Sequence, residues 1–143
     1  MLPEKIQLEI VTPERSVLSE AVDELILPGT RGYLGVRPGH APLLTTLKVG
    51  TILIRKGREP KVLAVSWGFA EVLPERVSIL AETAERAEEI DLDRALRSRE
   101  RAEKRLKSPD PDVDFQRAQV ALEKALIRIQ VASKAGAASR GEI

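Results

Sequence analysis

The sequence contains no cysteine and a single histidine. Disulfides, thiolate nucleophiles and cysteine metal sites are therefore excluded, and a cluster of histidines around a metal cannot form within one chain. Aromatic residues make up only 3% of the 143 residues, so any interior must be aliphatic. Stacking platforms for single-stranded nucleic acid are missing for the same reason. No apolar run approaches the roughly 20 residues that a membrane-spanning helix needs. The start, Met1-Leu2-Pro3-Glu4-Lys5, lacks the basic region and apolar core of a secretory signal. An excess of one charge is missing too: 23 basic and 22 acidic residues leave a net charge of +1. Such a balance gives no global pull toward nucleic acid or a membrane surface, so any electrostatic function must come from local pattern.

Glycine and proline, by contrast, are plentiful but confined. Glycine is absent from Phe69 to Ala135, and after Pro74 the only prolines are Pro109 and Pro111. The segment from Glu85 to Ala95 thus separates two kinds of sequence. Short apolar runs between Gly/Pro turns read as strands, whereas a breaker-free tract of Ala, Arg, Glu, Leu and Lys reads as helix. The expected division is a β domain over 1–84 and a helical domain over 85–143, with a frayed tail from about residue 135.

Within the first part, Ile6, Leu8 and Ile10 alternate with Gln7 and Glu9, the mark of a half-buried strand. Pro13 ends it, and a short strand follows around Val17-Leu18. Glu24-Leu25-Ile26-Leu27 is expected to stop at Pro28-Gly29. Gly50 to Arg55 and Lys61 to Ser66 flank Lys56-Gly57-Arg58-Glu59, which predicts a hairpin. Gly68 to Leu73 and Arg76 to Leu80 flank Pro74-Glu75 and predict a second. Eight to ten short strands at this spacing predict an antiparallel sandwich or flattened barrel. Gly32, Gly35 and Gly39 match neither phosphate-binding glycine pattern and read as turn formers.

In the second part, Asp91 can cap a helix by accepting a hydrogen bond from a first-turn amide. Its apolar seam is Leu92, Ala95, Ala102 and Leu106. Lys107 to Asp112, with two prolines, breaks that helix. Asp112 or Asp114 caps a second, whose seam is Ala118, Ala121, Ala125, Ile129 and Ala132. Small residues on both seams favour an antiparallel hairpin. Glu100–Lys104 and Glu103–Lys107 are favourable i,i+4 pairs. Arg94, Arg101 and Arg105 on one helix and Lys124 and Arg128 on the other form two basic stripes. These read either as a solvated charged face or as an anion site, where arginine forks suit phosphate oxygens.

The run Gly35-Val36-Arg37-Pro38-Gly39-His40-Ala41-Pro42-Leu43-Leu44 resembles the Pro-Gly-His-x-Pro-Leu segment of the epsilon subunits of bacterial F-type ATP synthases, the equivalents of the mitochondrial delta subunit. Val11-Thr12-Pro13, Ser66-Trp67-Gly68-Phe69-Ala70-Glu71-Val72 and Val77-Ser78-Ile79-Leu80 fit the same family. Ile90-Asp91-Leu92-Asp93-Arg94-Ala95 fits the (Ile/Leu)-Asp-x-x-Arg-Ala motif of its nucleotide-binding members. The likeness runs from residue 5 to about 134.

The resemblance implies an α+β fold: a sandwich of about ten strands, then a two-helix hairpin, with no catalytic residue. It implies a peripheral subunit on the cytoplasmic side of the bacterial plasma membrane. Its partners would be the gamma subunit, the c-ring and the alpha/beta catalytic head, with no nucleic acid and no membrane insertion. The helices would inhibit ATP hydrolysis when extended. No cofactor is required, but ATP is implied as a regulatory ligand of the folded hairpin, held by Glu85, Ile90, Asp91, Arg94, Ala95, Arg101, Lys124 and Arg128. Lys124 stands where a well-studied form of that site has arginine, keeping the charge without the planar fork. Tyr33 and His40 are the implied contacts to the c-ring. Tyr33 replaces a frequent glutamate, and Trp67 replaces a usual glycine, implying local repacking. The alternative function is a free-standing ATP-sensing module. A small hydrolase would need Glu71 or Asp23 beside His40, and the spacing does not support it.

Overall fold

The computed structural model describes residues 2–139, with side chains as far as Ser133. The chain forms two compact units, Met1–Arg86 and Ala87–Ile143.

The first unit holds eight strands: β1 (Ile6–Val11), β2 (Ser16–Val22), β3 (Glu24–Gly29), β4 (Gly32–Val36), β5 (Leu43–Leu47), β6 (Gly50–Lys56), β7 (Glu59–Val72) and β8 (Arg76–Arg86). They make one sheet in the order β2-β1-β8-β7-β5-β3-β4, with β6 joined to β3 and β7. Alternation places Ile6, Leu8 and Ile10 of β1 inward, as the sequence predicts, with Leu25 and Leu27 of β3 and Ile52 and Ile54 of β6 in the same aliphatic core.

Eight strands appear where about ten were expected because β7 runs unbroken from the first predicted hairpin into the second, and β8 continues past Leu80 to Arg86. One half of β7 pairs with β6, from Gly50↔Val65 to Lys56↔Glu59. The other half pairs with β5, from Leu43↔Val72 to Leu47↔Gly68. Across the join the core-facing residues change parity: Leu63 and Val65 on one side, Ala70 and Val72 on the other. Strand β8 does the same between Ala81 and Ala84. A strict period of two cannot reverse its face without a break in the pleat. Trp67, with φ +52°, and Gly68, with φ +147°, supply that break. One long ribbon therefore turns a corner and serves both layers of the sandwich.

Two further departures have local causes. Strand β1 pairs in parallel with β8, Gln7↔Arg76 through Val11↔Leu80, while every other ladder is antiparallel. Parallel neighbours need a long connection, and nearly the whole sandwich lies between these two. Strand β3 also runs on through Pro28-Gly29 instead of stopping before them. Pro28 sits where β3 changes partner from β6, last paired at Ile26, to β5 at Gly29. A ladder amide is dispensable there.

Ion pairs tie the edge of the sandwich. Lys61 Nζ lies 2.9 Å and Lys56 Nζ 3.3 Å from the Glu20 carboxylate. Arg55 Nε donates to Glu24 at 2.8 Å and Arg37 Nε at 3.1 Å. Asp23 accepts from Lys5 and, at 2.6 Å, from the Gly57 amide. Burial pushes Glu20 up, but Lys61 and Lys56 together outweigh it and hold the carboxyl below its ordinary value. Lys5 lowers Asp23 and Arg55 lowers Glu24. Folded-state values below the unfolded ones mean stability that is present above the ordinary carboxylate range and lost as pH falls through the lower, folded values. The urea midpoint should therefore drop on acidification below about pH 4.5, the ordinary value for Glu20. Lys61→Met should lower the midpoint at pH 7, and that difference should shrink toward zero in acid. A difference independent of pH would show that Lys61 acts through its aliphatic stem alone.

In the second unit a 3-10 turn (Ala87–Glu89) leads into α1 (Leu92–Leu106) and α2 (Phe115–Ser139). The two helices pack together, and α2 also meets the 3-10 turn that precedes α1. With a short connection from Lys107 to Asp114, this is the antiparallel hairpin. Asp114, not Asp112, caps α2, its Oδ1 accepting from the Arg117 amide at 3.0 Å. Glu103 pairs with Arg99 at 3.8 Å rather than with Lys107, the residue that ends α1; Glu100–Lys104 forms as expected. The tail expected to fray from about residue 135 begins inside α2, whose backbone is helical to Ser139, and residues 140–143 lie outside the described residues.

Candidate functional site

The helical seam is narrower than its sequence period suggests. Ala95 and Ala102 are buried on α1, and Ala118, Ala125 and Val131 on α2, whereas Leu92 is 39% exposed. Val131 was missed because it lies off the alanine period. Arg94 precedes Ala95, Arg101 precedes Ala102 and Lys124 precedes Ala125. Successive helical residues are about 100° apart, so each of these cations flanks the seam. Arg128, three residues beyond Ala125, shares the seam's side of α2 and is half-buried, as is Lys124. Each helix thus carries cations beside the small-residue contact.

Asp91 stands just before α1, ahead of those cations. Its backbone is extended, and its Oδ1 accepts from the Arg94 amide at 3.1 Å, so it caps α1 as expected. Ile90 beside it is buried. Arg101 Nη2 donates to Ser98 at 3.1 Å, while Arg94, Arg101 and Arg105 are exposed. Seven of the eight residues expected to hold ATP therefore belong to the helical unit. Glu85 belongs to the sandwich, near the end of β8 and paired in register with Ala64.

The two expected ring contacts lie in the sandwich. The Tyr33 ring is 53% exposed, but its hydroxyl accepts from the Thr51 amide at 3.2 Å, and the Lys48 ammonium stands 5.8 Å from its centroid. Gly50 permits this: a Cβ there would sit 2.6 Å from Pro28 and 2.8 Å from the Tyr33 oxygen. Tyr33 therefore braces β4 against β6 while presenting its ring to solvent. His40 is half-buried, with Nδ1 2.7 Å from the Ala41 carbonyl oxygen. It is one of the residues lining an open groove of about 520 Å³ formed by Glu24–Ile26 and Gly35–His40.

One feature escaped the sequence reading. Phe69 lies directly opposite both Leu80 and Thr46 on the outward face of the sheet, with Leu44 two residues beyond Thr46. Phe69 is 54%, Leu80 58% and Leu44 71% exposed. Three large apolar side chains clustered on an outward face mark an interaction surface. Among the described residues, no group of three or more His, Cys, Asp or Glu side chains is placed to hold a metal ion.

Residues 5–87 match the ATP synthase, Delta/Epsilon chain, beta-sandwich domain, and residues 88–133 match the long alpha-helix domain of the same chain. The chain belongs to the ATP synthase delta/epsilon family. Among bacterial relatives in this family, the ATP synthase epsilon chain 2 of Syntrophotalea carbinolica is 50% identical over 136 residues, covering 94% of this chain and 99% of the relative. The ATP synthase epsilon chain of Syntrophobacter fumaroxidans is 51% identical over 133 residues, covering 93% and 99%. A chain of the Euglena gracilis mitochondrial ATP synthase, solved as OSCP/F1/c-ring in rotational state 1, superposes with a TM-score of 0.79 at 26% identity, covering 95% of this chain and 83% of that one. A central stalk/c-ring structure from Tetrahymena thermophila shares the fold, with a TM-score of 0.56 at 17% identity. Delta/epsilon chains of this kind are non-catalytic subunits of a membrane-bound complex. No helix among the described residues is long and apolar enough to cross a membrane.

Proposed function

We propose that this chain is the epsilon-type regulatory and coupling subunit in the central stalk of a proton-translocating F-type ATP synthase, on the cytoplasmic side of a bacterial plasma membrane. The sandwich holds the gamma subunit through the Leu44–Phe69–Leu80 face and meets the c-ring near Tyr33 and His40. The helical hairpin is the regulatory part. When extended it reaches the alpha/beta catalytic head and inhibits ATP hydrolysis. When folded it binds ATP, which holds it down.

The observation that carries the regulatory half is the cation rim. Arg94, Arg101 and Lys124 each stand one residue before a buried alanine, with Arg128 on the same side of α2. Like charges along a contact made largely of alanine oppose the folded hairpin, and alanine contributes little apolar area to offset them. A polyphosphate among them removes the repulsion and adds charge-assisted hydrogen bonds. Extension parts the two helices and so dismantles the rim. ATP therefore favours the hairpin by its differential affinity for the two forms.

Calorimetry on the full chain with millimolar ATP tests this. Binding is expected, with Arg94→Ala weakening it about tenfold or more, the usual loss for a hydrogen bond to a charged group. Asp91→Ala should also weaken it by loosening the first turn of α1, and Lys124→Arg should tighten it by restoring a planar fork. Absence of binding, or binding indifferent to Arg94→Ala, would reduce the rim to a solvated face.

A further inference from the structure

Strand β8 keeps one ladder to its end and loses the other. It pairs with β7 as far as Leu63↔Arg86, but its parallel ladder with β1 stops at Val11↔Leu80. Among the described residues, no strand pairs with that side of β8 from Ala81 onward. A chain segment held by a single ladder opens at low free-energy cost. Yet this is where the sandwich hands the chain to the helical unit, which begins at Ala87.

Side chains take the place of the missing ladder. Strand β2 carries a bulge: Ile10 faces Leu18 and Val11 faces Ser16, so the register skips Val17. Val17 and Leu18 are both buried in the core, which two consecutive strand residues manage only at such a break. A bulge leaves its extra residue outside the ladder. Arg86 takes up that residue's carbonyl: Nε donates to the Val17 oxygen at 3.0 Å and Nη2 at 2.5 Å. A longer bond runs the other way, from Arg15 Nη2 to the Ala84 carbonyl at 3.5 Å. Arg86 is thus both the last residue of β8 and the clasp that holds this end against β2. The aliphatic core is complete without it.

We propose that Arg86 is a positioning residue for the inhibitory helices, fixing the point from which the hairpin is tethered. This rests on the reading that the extended helices inhibit hydrolysis. Only Ala87 to Asp91 link β8 to α1. The effective concentration of a tethered group falls as its link lengthens. Without the clasp β8 peels back toward its corner, as far as Thr83, and Thr83 to Arg86 join the link. Nearly doubling the link lowers the effective concentration of the helices at the catalytic head about two- to threefold.

The test uses the full chain and F1 purified without this subunit. Arg86→Gln removes the charged fork and leaves the core untouched. Inhibition of ATP hydrolysis at saturating subunit should fall about two- to threefold, while affinity for F1 holds. Amides from Thr83 to Arg86 should exchange hydrogen faster, and those of β1, β3 and β6 should keep their protection. Arg86→Lys, which keeps a donor but not the fork, should restore part of the inhibition. Unchanged inhibition, unchanged exchange, or affinity falling in step with inhibition would each overturn the proposal; the last would make Arg86 a support of the fold alone. Ending the chain after Ile90 keeps the two levels apart. If that relieves inhibition while Arg86→Gln does not, the clasp is wrong and the inhibitory helices stand. If the wild-type chain does not inhibit F1, or truncation changes nothing, both fail.

Discussion

Ending the chain after Ile90 is expected to leave rotor assembly intact and to raise ATP hydrolysis by the complex several-fold. Every member of the sandwich core, from Ile6 to Ala84, lies within the first 84 residues, so the shortened chain retains its interior. It also retains Leu44, Trp67, Phe69 and Leu80, the exposed apolar residues on which a stable grip would rest. The truncation removes α1 and α2, with their cations and thin alanine seam. If the extended helices are what obstructs the catalytic head, deletion removes the obstruction in every molecule, a larger effect than any point change in the hairpin. Steady-state hydrolysis by the reconstituted complex, with and without millimolar ATP preincubation, measures both parts. Wild-type complex should be relieved by ATP; truncated complex should be fast from the start and indifferent to it. Loss of the truncated subunit from the purified complex would place the grip in the helices. Unchanged hydrolysis with the subunit still bound would remove inhibition from the hairpin's role.

The features that could be read from the sequence are those governed by neighbours along the chain. The alternation Ile6-Leu8-Ile10 declares a one-sided strand because side-chain direction follows directly from the pleat. Asp91 declares a helix start because capping is completed within three residues, by the Arg94 amide. The alanine seams and the cations beside them follow from helical period alone. What could not be read depends on pairings distant in sequence. The parallel ladder of β1 with β8 joins the two ends of the sandwich. The Tyr33 hydroxyl is engaged by an amide 18 residues away. The strand count came out at eight, the low end of the expected eight to ten, because Ser66 looked like the end of one strand and Gly68 the start of another, whereas both belong to one long strand with its corner at Trp67-Gly68. The outward face at Phe69 and Leu80 was hidden for the same reason. Across that corner the inward parity reverses, so no single alternation assigns both halves of β7. The gamma, c-ring and nucleotide assignments came from family resemblance. The residue pattern by itself left the basic stripes open between an anion site and a solvated face.

That corner also carries the largest expected effect on stability. Gly68 has φ +147°, and a Cβ built on it would lie deep inside contact distance of the Leu80 carbonyl oxygen and 2.8 Å from the Ala81 Cα. Both obstacles are backbone atoms of β8, held by the ladder that pairs Gly68 with Ala81 and Phe69 with Leu80. They cannot rotate away as a side-chain tip would. Gly68→Ala must therefore part β7 from β8 at the point where the ribbon passes between layers, or force the backbone out of the conformation that turns it. Either route breaks ladder hydrogen bonds and opens the core beneath Ala70 and Ile79. A loss of roughly 4 kcal/mol or more is expected, a large share of the roughly 5–15 kcal/mol that holds a domain of ordinary stability together. Gly57→Ala supplies the control. Gly57 also has a positive φ, +63°, but its missing Cβ would meet nothing within 4 Å. Its cost should be about 1 kcal/mol, the conformational penalty alone. Urea unfolding of both variants, followed by circular dichroism, isolates the steric part as the difference. Equal losses would mean that β8 yields at the corner, and that Gly68 is needed there for its backbone angles and not for its missing side chain.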